Sequence, residues 1–138
     1  MQSTSTVTTG EWVHVAATRK MSTGEVQIIV NGVLESTQTY AQVSSLSASP
    51  NLTIGGNIVD SRFFVGQIDE VRIWNIVRTP ADILSTMYKK LAGTETSLVA
   101  YYKFDDTGAT TATDSSPSHV DLELKGQAAR MASTAPLC

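Results

Sequence analysis

Apolar and polar side chains alternate with a period of two along much of this chain. In residues 12–18, Val13, Val15 and Ala17 share one face, and Trp12, His14 and Ala16 share the other. Both faces are largely apolar, which predicts an interior strand. Residues 21–24 are turn material, and residues 25–30 then set Val26, Ile28 and Val30 against Gln27 and Ile29. Asn31 and Gly32 follow, and this pair predicts a type I′ hairpin because both central residues of that turn need positive φ. Residues 33–40 are polar enough for an edge strand, so the first forty residues read as a β-meander. A Ser- and Pro-containing loop over 44–51 leads to a short strand at 52–54, stopped by Gly55 and Gly56. Residues 63–74 form the longest strand pattern, with Gly66 marking a bulge or a close backbone approach.

One helix is expected at about 80–91. Thr79 supplies the N-cap, Pro80 the first helical position and Asp82 an acid three residues after the cap. Ile83, Leu84, Met87 and Leu91 make its apolar stripe, Lys89 and Lys90 suit its negative end, and Gly93 closes it. Strands return at 98–104, with Leu98, Ala100, Tyr102 and Phe104 on one face. They continue at 120–125, with Val120, Leu122 and Leu124 inward. From Gly126 onward one weak strand and a frayed tail are expected. Many short strands, turn-rich connections and one lone helix predict an all-β antiparallel sandwich or jelly roll.

Composition narrows the function more than the fold. The 138 residues are 41% hydrophobic and 17% charged, which fits one folded domain over 1–138, with 1–9 and 127–138 expected to be weakly ordered. The net charge of −3 offers no basic footprint, so nucleic-acid binding is not expected. The one cysteine, Cys138, leaves no intrachain disulfide. No stretch approaches the length of a membrane span, so membrane insertion is not expected either. The first twelve residues have neither the basic start nor the apolar run of a signal peptide.

The blocks GEWVHVAAT, VQIIVNGVL, LTIGGN and FVGQIDEVRIWN, with RTPADI behind them, resemble the laminin-G-like family of concanavalin-A-like domains, relatives of the pentraxins. The block LVAYYKFDDTGATTATDSS resembles the stretch that usually opens such a domain, yet here it stands near the C-terminal end. The order looks permuted, or a neighbouring repeat has begun, and the strands between that block and the Gly-Glu-Trp strand are missing. A reduced sandwich leaves sheet edges unpaired, so a homodimer that completes them is expected. The resemblance also implies an extracellular setting and a structural calcium ion held by Asp69 with Asp105, Asp106 and Asp114. Oxygen ligands suit that hard cation. Asp69 shares a face with Val71 and Ile73 in the pattern, so its carboxylate needs either a cation or several backbone N–H groups.

Catalysis is not expected. The laminarinase-type hydrolases of the broad fold need Glu-x-Asp-x-x-Glu on one strand, and the nearest approach here, Asp121 and Glu123, stands in the outward set of its strand. His14 and His119 do not make a metal pair by spacing. Trp12 and Trp74 lie inside strand patterns and read as core. Tyr101, on the face opposite Tyr102, reads as an exposed ring, and the loop carrying Asn57, Asp60, Arg62 and Phe63 offers a polar and aromatic mix for ligand contact. Asn51, Leu52 and Thr53 match a glycosylation acceptor, which the strand at Thr53 argues against. The leading expectation is a non-catalytic module that recognises carbohydrate or a protein partner. The alternative is a structural assembly or adhesion module acting through dimerisation, and a glycoside hydrolase or lyase comes third.

Overall fold

The computed structural model describes residues 1–41, 52–57, 61–107 and 110–137. Among these described residues nine strands and one helix follow in the order β1 (Val15–Lys20), β2 (Glu25–Val30), β3 (Val33–Thr39), β4 (Gly56–Asn57), β5 (Arg62–Phe63), β6 (Val71–Trp74), α1 (Pro80–Thr86), β7 (Leu98–Tyr102), β8 (Thr111–Ala112) and β9 (Leu122–Glu123). They pair antiparallel throughout, as β1-β2-β3, β4-β5, β6-β7 and β8-β9. The architecture is all-β with a single short helix, as the alternation predicts.

The meander forms where the turn chemistry places it. Asn31 and Gly32 adopt φ of 49° and 78°, the left-handed pair that a type I′ turn requires. The register runs Val15↔Val30↔Val33, then Ala16↔Ile29↔Leu34. Between Ile28 and Ile29 the ladder skips Glu35, a bulge on the outer strand. The freed carboxylate accepts the backbone N–H groups of Thr4 and Ser5 at 2.9 and 3.0 Å and the Ser5 hydroxyl. Residues 4 and 5 are thereby tied to β3, although 1–9 read as loose in sequence.

The expected long strand over 63–74 divides. β5 ends at Phe63 and β6 begins at Val71, because Glu70 sits at φ 54° and its N–H bonds to the Asp69 side chain at 2.9 Å. A local side-chain acceptor competes there with the sheet ladder. Residues 52–54 are likewise not a strand; the pairing falls one step later, on Gly56 and Asn57.

α1 begins as expected, with a full capping box between Thr79 and Asp82. It ends earlier, at Met87, because Arg72 from β6 takes the carbonyls of Thr86 (2.9 Å) and Lys89. Ile83 and Met87 are buried while Leu84 is exposed, so the buried stripe is narrower than the sequence implies. β9 is two residues long with Val120 outside it and exposed, and no strand follows Gly126 among the described residues. The tail is nevertheless held, by Arg130 on Asp106, Ser133 on Asp69 and Thr134 on the Trp12 indole.

The main core is the inner face of β6-β7. Val71 stands opposite Tyr102 and Ile73 opposite Ala100, and this face packs on Ala112 with Ile54, Phe104 and Leu122. Tyr102 closes it with its hydroxyl donating to the Val120 carbonyl at 2.8 Å. No helix among the described residues is long and apolar enough to cross a membrane.

Candidate functional site

The residues singled out from sequence go to four different places. Asp114 is fully buried and acts as a hub beside β7. Its Oδ1 accepts the N–H of Tyr101 and of Ser116, both at 2.9 Å, and its Oδ2 accepts the Val120 N–H (3.1 Å) and the Ser116 hydroxyl (2.9 Å). Burial opposes its charge, but these donors outweigh it and hold the carboxyl below the usual range. Asp106 meets Arg130 at 3.2 Å and the Thr113 N–H at 3.0 Å. Asp105 is exposed and pairs with Lys90 at 2.7 Å. Asp69 binds the Glu70 N–H and the Ser133 hydroxyl. The four aspartates expected to share calcium are each engaged separately, and no group of three or more His, Cys, Asp or Glu among the described residues is placed to hold a metal ion. These carboxylates do not fit a common cation.

Tyr101 corrects another expectation. Its ring is 0% exposed and offers no face to a ligand. The reason is its hydroxyl, which donates to Glu70 Oε2 at 2.5 Å and accepts the Leu91 N–H at 3.1 Å, tying β7 to β6 and to the exit of α1. Burial and the Glu70 carboxylate raise its pKa to about 12. Arg72 and Lys103 approach the ring at 5.4 and 5.1 Å.

Asn57, Arg62 and Phe63 come together. Asn57 faces Arg62 across the β4-β5 ladder, and Gly56 faces Phe63. All three are exposed, and Phe63 and Phe64 leave 65% and 53% of their surface in solvent. Glycines floor both rings: a Cβ at Gly56 would stand 3.0 Å from the Phe63 ring, and one at Gly66 would stand 2.8 Å from that of Phe64. The result is a hairpin that exposes two rings, an amide and a guanidinium, with the register placing Phe63 on the face opposite Asn57 and Arg62. Asp60, the fourth residue expected there, lies outside the described residues, as do Cys138 and Asn51.

A second feature escaped the sequence reading. Residues 12–14, Asp69, Glu70, Arg72, the end of α1 and the tail at 135–137 line an open cleft of about 70 Å³. Glu70 and Arg72 pair at its base at 2.6 Å. Trp12 and Tyr88 supply its rings. Burial, then the charge of Arg72, lowers the His14 pKa and favours the neutral imidazole. The period-two pattern over 69–74 was the available signal, since it pairs Glu70 with Arg72; nothing local in the sequence brings Trp12, His14 and Tyr88 to them.

The family model described as the concanavalin A-like lectin/glucanases superfamily matches residues 1–84. A solved structure described as a "putative carbohydrate binding protein" from Bacteroides ovatus ATCC 8483 superposes with a TM-score of 0.71 at 26% identity. That match covers 86% of this chain and 36% of the other, so the chain spans about a third of its solved relative. No match was found among curated proteins.

Proposed function

The chain belongs to the concanavalin A-like lectin/glucanase superfamily, and from that premise we infer that it acts as a non-catalytic carbohydrate-binding module. The observation that carries this reading is the exposure of the Phe63 and Phe64 rings, each over its own glycine, on the hairpin that also presents Asn57 and Arg62. Aromatic faces stack on the C–H faces of pyranose rings, and the neighbouring amide and guanidinium supply hydrogen bonds that fix orientation. The description of the Bacteroides relative supports the same ligand class.

The glucanase side of the superfamily has less support. Glycosidic hydrolysis needs two carboxyl groups flanking one bond. Asp121 instead accepts the Asp114 N–H at 2.9 Å, and Glu123 pairs with Lys125 at 2.6 Å. Asp121 is thus engaged by the backbone, and Glu123 stands on the surface beside Lys125.

Binding is tested on a glycan array, followed by calorimetric titration of the best saccharide. Phe63→Ala and Phe64→Ala should each weaken affinity about tenfold, the effect of losing one stacked ring. Unchanged binding in the double variant would sink the platform.

A second reading, self-assembly, is favoured by one observation. The chain exposes 9520 Å² of surface, whereas a compact monomer of 14.8 kDa exposes about 7000 Å². A second copy that covers the free edges of the β1-β2-β3 sheet would remove part of that excess.

A further inference from the structure

We propose that the β4-β5 hairpin carries two binding faces back to back, each built on one ring, so that one copy of the chain holds two saccharide units. Phe64 serves a selective face and Phe63 a permissive one. The inference rests on the carbohydrate reading for the class of ligand, and on the register of the hairpin for the number of faces and the difference between them.

The register sets the two rings apart. Gly56 stands opposite Phe63 and Asn57 opposite Arg62. The Phe64 N–H bonds to the Gly55 carbonyl at 2.8 Å, which carries the antiparallel pairing one residue further. Successive side chains on a strand point to opposite faces. Phe63 therefore leaves one face, with Gly56 across from it, and Phe64 leaves the other, with Arg62 and Asn57. The glycine contacts agree. A Cβ at Gly56, on the facing strand, would meet the Phe63 ring at 3.0 Å, whereas the Phe64 ring lies 2.8 Å from a Cβ built at Gly66. Neither β4 nor β5 pairs with a further strand among the described residues. Asn57, Arg62 and both phenylalanines are exposed, so water reaches both sides.

The chemistry of the two faces differs. A ring alone meets the C–H face of a pyranose, which many sugars share, while polar groups beside it read where the hydroxyls stand. The Phe64 face has an amide that donates and accepts and a guanidinium that only donates. The Phe63 face has a glycine across the ladder and no such group there. The Phe64 face therefore distinguishes epimers, and the Phe63 face takes them alike. Opposite sides of one hairpin do not meet a single flat stretch of glycan. The ligand class that fits both is a polysaccharide whose strands or branches lie side by side. Two weak sites joined in one module raise avidity for such an array without a new contact.

The test is a titration of the full chain with cellobiose, lactose, mannobiose and xylobiose, followed by two-dimensional NMR of the Phe63 and Phe64 ring signals. A disaccharide is too short to lie on both faces. Both rings should titrate saturably, each with its own Kd. Across the sugars the Kd at Phe64 should spread about tenfold or more, and that at Phe63 about twofold. Phe63→Ala should leave the Phe64 titration as it was, and Phe64→Ala the Phe63 titration. Arg62→Ala should weaken the Phe64 titration about tenfold and spare that at Phe63. A titration at one ring only, equal selectivity at both, or any of these substitutions weakening both faces alike would overturn the two-faced hairpin and spare the carbohydrate reading. Silence at both rings would overturn both.

Discussion

Asp114 shows how one residue sets the local order of the chain. It accepts three backbone N–H groups and one hydroxyl while fully buried, and its own N–H goes to Asp121. Asp114→Ala strands those donors inside the protein, and each one costs about 1–3 kcal/mol. The expected loss, read from urea unfolding, is about 3 kcal/mol or more. The sign of its pH dependence follows from the lowered folded pKa. The stabilisation is present above the unfolded carboxylate value of about 3.9 and disappears as the pH falls through the lower folded value. Stability should therefore fall as the pH drops below about 4, and Asp114→Asn should flatten that slope. A wild-type chain equally stable at pH 6 and pH 2.5 would refute the assignment. In sequence Asp114 entered only through the family resemblance, as a calcium ligand with Asp69, and sequence alone does not distinguish a cation from a ring of N–H donors. Tyr101 misled for a related reason: alternation gives the face of a strand, while the Glu70 carboxylate that takes the hydroxyl comes from the turn before β6.

At the scale of elements, the legible parts were those with local chemistry. The Asn31–Gly32 turn and the Thr79 capping box occur where residue type requires them. The strand over 63–74 was overestimated because its apolar spacing is continuous, whereas the backbone turns aside at Glu70. The helix was overestimated because Arg72, a residue of a neighbouring strand, claims its terminal carbonyls. Two glycines test this division between local and distant causes. At Gly32 the φ of 78° penalises any Cβ, and the nearest atom is a movable Leu84 methyl at 2.9 Å. Gly32→Ala should cost about 1–2 kcal/mol, the strain of a left-handed residue. At Gly93 the φ is 96° and a Cβ would stand 2.1 Å from the Ser115 carbonyl, a backbone atom of the Asp114 turn. Gly93→Ala adds overpacking to strain and should cost about 3 kcal/mol or more. Thermal unfolding of the two variants should rank them in that order, and the reverse order would mean that the loop after α1 does not press on the turn.

For the molecule as a whole, the decisive quantity is the surface left in water. The exposure of 9520 Å² exceeds the compact expectation by about 2500 Å². A standard interface takes about 800 Å² from each partner, so association would consume only part of the excess. We place the second copy on the three-stranded sheet: among the described residues β1 and β3 pair with no further strand, and Val15 is 55%, Val33 63% and Leu34 44% exposed. Unpaired edges carrying apolar side chains invite strand addition, and a lysine there opposes it. Light scattering at tens of micromolar should therefore give a mass near twice 14.8 kDa. Val33→Lys should return the chain to a monomer with its far-ultraviolet dichroism unchanged. The proposed glycan platform lies on the other hairpin, so Val33→Lys should leave saccharide affinity at Phe63 intact, whereas Phe63→Ala should leave the mass intact. A monomeric wild type would remove the edge as an interface, and a joint loss of mass and affinity in either variant would show that the two surfaces are one.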